Sequence, residues 1–133
     1  MSDVTPSKSV VLVVEDEPLI RLMAIELIEE GGFEVVAASD AAAAVAILER
    51  RLDIRIVFTD IDMPGGMDGI RLAAVIRERW PPLQIVVTSS HLNVHPSQMP
   101  ARGVFLSKPY EGRELVGLLR SLAQDRPDLP EPA

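Results

Sequence analysis

The sequence contains no cysteine, which removes disulfide frameworks and thiolate metal sites and leaves the redox compartment unmarked. Aromatic residues are scarce, 4% of the chain against 47% apolar overall. A core must therefore be assembled from Val, Ile, Leu, Ala and Met, as in helices packed on a parallel sheet. Positive charge is also short: 13 Lys and Arg against 20 Asp and Glu leave a net charge of −7. That balance works against direct binding to nucleic acid or to an anionic membrane surface. Long apolar runs are missing too, because Val10 to Val14 stops at Glu15-Asp16-Glu17, too short for a signal or a membrane span. A cytoplasmic location is expected. With 133 residues the chain holds one domain with a real core and has no room for a second.

What is present is a regular alternation. Apolar stretches that read as buried strands are Val10 to Val14, Phe33 to Ala37, Ile54 to Phe58, Gln84 to Val87 and Val104 to Leu106. Helical patterns separate them. Pro18 to Glu30 has Pro in its first turn, sets Leu19, Leu22, Met23, Leu27 and Ile28 on one face, and ends at Gly31-Gly32. Asp40 can cap Ala41 to Arg50, a third helix runs from Gly69 to Trp80 until Pro81-Pro82 halts it, and a last one spans Glu111 to Ala123. Strands alternating with helices predict a doubly wound α/β fold with a parallel sheet. The segment from His91 to Arg102 breaks the rhythm, since Pro96 and Pro100 allow at most a short helical stretch there. Residues 1–7 read as an N-terminal extension, 8–124 as the domain and 125–133 as a disordered polar tail.

In an open parallel sheet, ligands bind outside the carboxyl ends of the strands. The residues that collect there are Glu15, Asp16 and Glu17, then Asp60 and Asp62, then Thr88 and Ser89, then Lys108 and Pro109. Taken singly, each has a bland explanation in a helix dipole, a turn or a solvated surface. Jointly they do not. Carboxylates about 4 Å apart repel by roughly 4 kcal/mol at an effective dielectric of 20, so three of them at one site require a cation or raised pKa values. Mg²⁺ suits an all-oxygen donor set completed by phosphate oxygens. Lys108 adds a positive charge and Thr88 a hydroxyl facing the same space, a combination that suits a phosphoryl group.

Four segments, Val13 to Glu17, Phe58 to Gly69, Val86 to Ser89 and Leu106 to Tyr110, together resemble the receiver domain of two-component response regulators, over the stretch from Lys8 to Ala123. The resemblance implies a flavodoxin-like, five-stranded sheet in the order 2-1-3-4-5. It implies that Asp60 is the phosphoacceptor for a phosphohistidine on a sensor histidine kinase or histidine phosphotransfer protein. Mg²⁺ would be bound by the side chains of Asp16 and Asp60, by the backbone carbonyl of Asp62, and by Glu15 through water. Lys108 would pair with the phosphoryl oxygens, with a cis Lys108-Pro109 bond aiming it. Thr88, with Ser89 beside it, would bind the phosphoryl group and shift inward, and Phe105 would rotate into the space. Such a domain is a phosphorelay switch rather than an enzyme, catalysing only its own phosphorylation and dephosphorylation.

Three departures qualify the resemblance. Two residues, Gly65 and Gly66, separate Pro64 from Met67 where the family usually has one; Phe105 replaces the more frequent Tyr; and the stretch from His91 to Arg102 predicts a shortened or irregular fourth helix, mobile until phosphorylation orders it. The rival reading is a haloacid-dehalogenase-type phosphatase with Asp60 as nucleophile, suggested by Asp60-Ile61-Asp62. The order of elements opposes it, because Glu15 and Asp16 precede Asp60 and no acidic pair follows Lys108 suitably. His91 and His95 read as surface residues and Trp80 as packing. A stand-alone receiver is expected over a fragment of a hybrid kinase. Its downstream protein is undefined, and homodimerisation is left open.

Overall fold

The computed structural model describes residues 8–62, 69–89 and 102–124. Five parallel strands form one sheet: β1 (Val10–Val14), β2 (Glu34–Ala38), β3 (Ile54–Asp60), β4 (Gln84–Ser89) and β5 (Val104–Ser107). Their order is β2-β1-β3-β4-β5. The helices are α1 (Pro18–Glu30), α2 (Ala41–Arg50), α3 (Gly69–Arg79) and α4 (Gly112–Gln124). The period-two alternation of the strands sends successive side chains to opposite faces. Val10, Leu12 and Val14 join Ala44 and Leu48 of α2 and Leu72 and Ile76 of α3 in one core. Val11 and Val13 join Ala24 and Ile28 of α1 and Leu115 and Leu119 of α4 in the other. Burial on both faces explains why β1, β3 and β4 read as apolar runs without alternation.

Local chemistry sets the helix ends. The Asp40 carboxylate accepts the Ala43 N–H at 2.8 Å and caps α2. Gly69 opens α3 where a Cβ would lie 2.1 Å from the carbonyl oxygen of Asp60, so this start tolerates no side chain. Strand β3 runs through Asp60, and β4 through Ser89. Asp60, Thr88 and Ser89 are thus final strand residues, fixed by the ladder, rather than the loop residues that their turn-like sequence suggests.

The inward face of α1 differs from the expected one. Ala24 and Ile28 are the buried residues, whereas Leu19, Leu22 and Met23 are 68%, 50% and 55% exposed. At 3.6 residues per turn, Leu19 and Leu22 lie about half a turn from Ala24. The helix carries apolar residues on both sides, and the side with the small Ala24 is the one that meets the sheet. The expected loop glycines Gly65 and Gly66, the irregular fourth helix between His91 and Arg102, the N-terminal extension and the tail lie outside the described residues, apart from Arg102.

Candidate functional site

Asp60 is 5% exposed at the end of the central strand β3, and both its carboxylate oxygens are engaged. Oδ2 accepts the Lys108 ammonium at 2.9 Å, and Oδ1 accepts the backbone N–H of Asp62 at 2.9 Å. Glu15 follows β1 and is equally buried. Its Oε1 is 3.6 Å from Lys108 Nζ, its Oε2 accepts the Glu17 N–H at 3.1 Å, and its carbonyl accepts from Arg21 at 2.9 Å. Carboxylate oxygens of Glu15, Asp16 and Asp60 lie within 4.8 Å of one another. Among the described residues, the Lys108 ammonium thus pairs with two of these three carboxylates, Glu15 and Asp60.

That imbalance appears in the acid-base properties. Burial, reinforced by neighbouring Asp60, pushes the Glu15 carboxyl up to about 7 despite the opposing Glu17 N–H and Lys108. Burial works against the Lys108 ammonium, but its hydrogen bond to Asp60 and the charges of Asp60 and Glu15 outweigh this, holding its pKa above the ordinary lysine value. A divalent cation among the carboxylates would relieve the same repulsion, and the all-oxygen donor set suits Mg²⁺.

Around this centre, Thr88 is the register partner of Asp60 on β4. Its buried hydroxyl has no hydrogen-bond partner among the described residues. The Ser89 hydroxyl donates to Asp62 Oδ2 at 3.0 Å. The Lys108 N–H donates to the Ser89 carbonyl at 2.9 Å, and the Lys108-Pro109 bond is cis. Phe105 is half-buried on β5 opposite Val87. Tyr110 meets the Phe58 ring edge-on at 5.9 Å, and its burial raises its pKa. A groove of about 1020 Å³, lined by Lys8, Arg51, Leu52 and Trp80 among others, lies at the opposite end of the strands and contains none of these residues.

The family model for the response regulator receiver domain matches residues 11–120. The chain belongs to this family. The receiver is 35% identical over 112 residues to the response regulator protein FleR of Pseudomonas aeruginosa, a match covering 82% of this chain and 23% of FleR. It is 30% identical over 111 residues to the sensor protein TorS of Escherichia coli, covering 81% of this chain and 12% of TorS. The chain thus spans less than a quarter of the length of either relative. A crystal structure of a response regulator receiver protein from Sinorhizobium medicae superposes with a TM-score of 0.81 at 28% identity, covering 89% of this chain and 96% of that one. The phosphatase alternative finds no support in these likenesses.

Within the receiver, Glu15, Asp16, Asp60 and Lys108 converge, with Thr88 adjacent and Asp62 and Ser89 bonded to each other at the rim. Phe105 stands on the neighbouring strand. Sequence reasoning missed two supports. Arg21 anchors the backbone of Glu15, and its place one turn into α1 was the available signal. Gly69 admits the backbone of Asp60, and the Asp68-Gly69 pair before an apolar helix was the available signal.

Proposed function

We propose that Asp60 accepts a phosphoryl group from a phosphohistidine on a sensor histidine kinase or histidine phosphotransfer protein, and that the resulting acyl phosphate switches the receiver's binding to a downstream protein. The observation that carries this reading is the engagement of the buried Asp60 by Lys108, with the Thr88 hydroxyl, unpartnered among the described residues, alongside. In the transfer, an Asp60 oxygen forms a bond to phosphorus, the bond from phosphorus to the imidazole nitrogen breaks, and that nitrogen keeps the electron pair. Lys108 then pairs with a phosphoryl oxygen instead of the free carboxylate. Thr88 donates a hydrogen bond from its hydroxyl to another phosphoryl oxygen and moves inward, and Phe105 fills the space left. Ser89 lies beside Thr88 in the same phosphoryl-binding wall.

The donor set fits Mg²⁺: Asp16 and Asp60 would hold it by side chains, Asp62 by its backbone carbonyl and Glu15 through water. When bound, the ion supplies positive charge against the phosphoryl oxygens. Attack of water on the acyl phosphate returns free Asp60 and inorganic phosphate, so turnover is limited to the domain's own phosphate. Residues 8–124 form the working domain, flanked by an extension at 1–7 and a tail at 125–133. Among the described residues no helix is long and apolar enough to cross a membrane. The receiver is proposed to act in the cytoplasm through protein contacts and without nucleic acid, and homodimerisation is left open.

Incubation with acetyl phosphate and Mg²⁺, followed by mapping of the modification by mass spectrometry, tests the assignment. The expected result is one base-labile phosphoryl group on Asp60, absent from Asp60→Asn. Undiminished labelling of that variant would reject the phosphoacceptor.

A further inference from the structure

Arg21 reaches Asp16 from both sides without bonding its carboxylate. From the first turns of α1, its Nη1 donates to the carbonyl of Glu15, the residue before, at 2.9 Å. Its backbone N–H donates to the carbonyl of Glu17, the residue after, at 2.8 Å. On the strand side, the Glu15 N–H donates to the carbonyl of Ala38, the last residue of β2, at 3.1 Å. The three clustered side chains differ in their support. The Glu15 carboxylate accepts the Glu17 N–H at 3.1 Å and lies 3.6 Å from Lys108 Nζ, and the Asp60 carboxylate is held by the Asp62 N–H and by Lys108. The Asp16 carboxylate is hydrogen-bonded to none of the described residues, although its oxygen lies within 4.8 Å of the other two. Its place is therefore set through the backbone, and the peptide group whose carbonyl Arg21 holds is the one joined to the Asp16 Cα.

We propose that Arg21 is a positioning residue for the metal: by fixing the peptide between Glu15 and Asp16 it aims the Asp16 carboxylate into the cluster. Mg²⁺ affinity then depends on a guanidinium that is not itself a ligand. This rests on the Mg²⁺ site proposed above and adds to it the group that holds its least supported ligand. Mg²⁺ demands near-ideal octahedral geometry, so a carboxylate free to swing binds it worse than one held in place, and outer partners of metal ligands carry a large share of affinity. Charge and position predict opposite signs here. The positive charge of Arg21, bonded one residue away from Asp16, repels a cation at the cluster, so its removal would tighten Mg²⁺ binding if charge were all that mattered. Removal weakens binding if the hydrogen bond to the Glu15 carbonyl is what counts.

The test measures Mg²⁺ affinity by calorimetry in the parent, Arg21→Met, Arg21→Lys and, as a control, Arg120→Met. Arg120 also donates to a backbone carbonyl, that of Gly31 at 3.1 Å, beyond the far end of α1, so its loss reports on the fold without reaching the site. Arg21→Met keeps the apolar stem and removes the donors, and should weaken Mg²⁺ binding about tenfold. Arg21→Lys, with the charge and a donor on a shorter arm, should recover part of that loss, and Arg120→Met should match the parent. In Arg21→Met the Mg²⁺ concentration that gives half-maximal phosphorylation of Asp60 by acetyl phosphate should rise by the same factor, with the limiting rate little changed. Without metal, nuclear magnetic resonance should show the Glu15 carbonyl carbon of Arg21→Met moved upfield while that of Gly31 stays put. Unchanged or tighter Mg²⁺ binding in Arg21→Met, or an equal loss in Arg120→Met, would overturn the inference. A parent that binds no Mg²⁺ would reject the metal site itself, an outcome distinct from a parent and an Arg21→Met variant that bind equally well.

Discussion

Thr88 stands opposite Asp60 in the register of β3 and β4, and its buried hydroxyl has no hydrogen-bond partner among the described residues. An unsatisfied buried hydroxyl costs about 1–3 kcal/mol. Thr88→Val should therefore make the metal-free, unphosphorylated receiver more stable, by about 1 kcal/mol once the imperfect match of shapes is allowed for. The same variant should lose stabilisation by Mg²⁺ and a beryllofluoride phosphoryl mimic. Urea unfolding with and without the mimic checks both halves; a variant less stable than the parent without ligand would count against a hydroxyl held ready for a phosphoryl oxygen.

Glu15 predicts a pH dependence. Its folded-state carboxyl lies near 7, above an ordinary value of 4.5, through burial first and its neighbour Asp60 second. A carboxyl raised on folding is protonated in both states below 4.5 and contributes no difference there. Between 4.5 and about 7 the unfolded chain ionises first, so the fold loses stability as pH rises, and the loss is complete above 7. Glu15→Gln removes this ionisation. In the presence of a chelator it should match the parent near pH 4 and exceed it at pH 8. Unfolding midpoints across that range measure the difference, and parallel curves for the two proteins would refute it.

Gly69 makes a steric prediction. A Cβ there would lie 2.1 Å from the Asp60 carbonyl oxygen and 2.8 Å from the Ile61 Cα, both backbone atoms that cannot swing aside. Gly69→Ala should cost about 3 kcal/mol and slow phosphorylation of Asp60 by displacing the end of β3. Denaturant midpoints and acetyl phosphate labelling report the two effects.

Asp16 bears on metal affinity. It supplies one of the three clustered carboxylates and is only half-buried, so Asp16→Asn should fold normally. Loss of a direct ligand should weaken Mg²⁺ binding by more than the ~10-fold that loss of an outer partner brings. Protons compete for the same oxygens, so affinity in the parent should fall as pH drops. Calorimetric titration with Mg²⁺ measures both.

Strand positions were legible in the sequence because β1, β3 and β4 are buried on both faces and leave mostly apolar runs, whereas the sheet order came from the resemblance to receiver domains and not from those runs. Glu15, Asp16, Asp60 and Lys108 were legible because parallel strands deliver their carboxyl ends to one edge. The inward face of α1 was not, since Leu19, Leu22 and Met23 satisfy a helical period as well as Ala24 and Ile28 do. Only docking distance selects the small residue. Nor could spacing reveal that Ser89 bonds Asp62 across 27 positions, because such a bond depends on the register of β3 against β4. The exact ends of β3 and β4 were hidden by Asp60, Thr88 and Ser89 themselves, polar residues held in strands by ladder partners.

The placement of the aromatic residues gives the receiver two separate optical signals. The sequence has one Trp and one Tyr. Trp80 lines the groove at the far end of the sheet, with the Arg79 guanidinium 4.4 Å above its ring. Tyr110 follows Lys108 by two residues, and its ionisation senses Lys108, Glu15 and Asp60. Indole emission should therefore follow unfolding while staying silent to events at Asp60, and phenol absorbance should register those events with the fold intact.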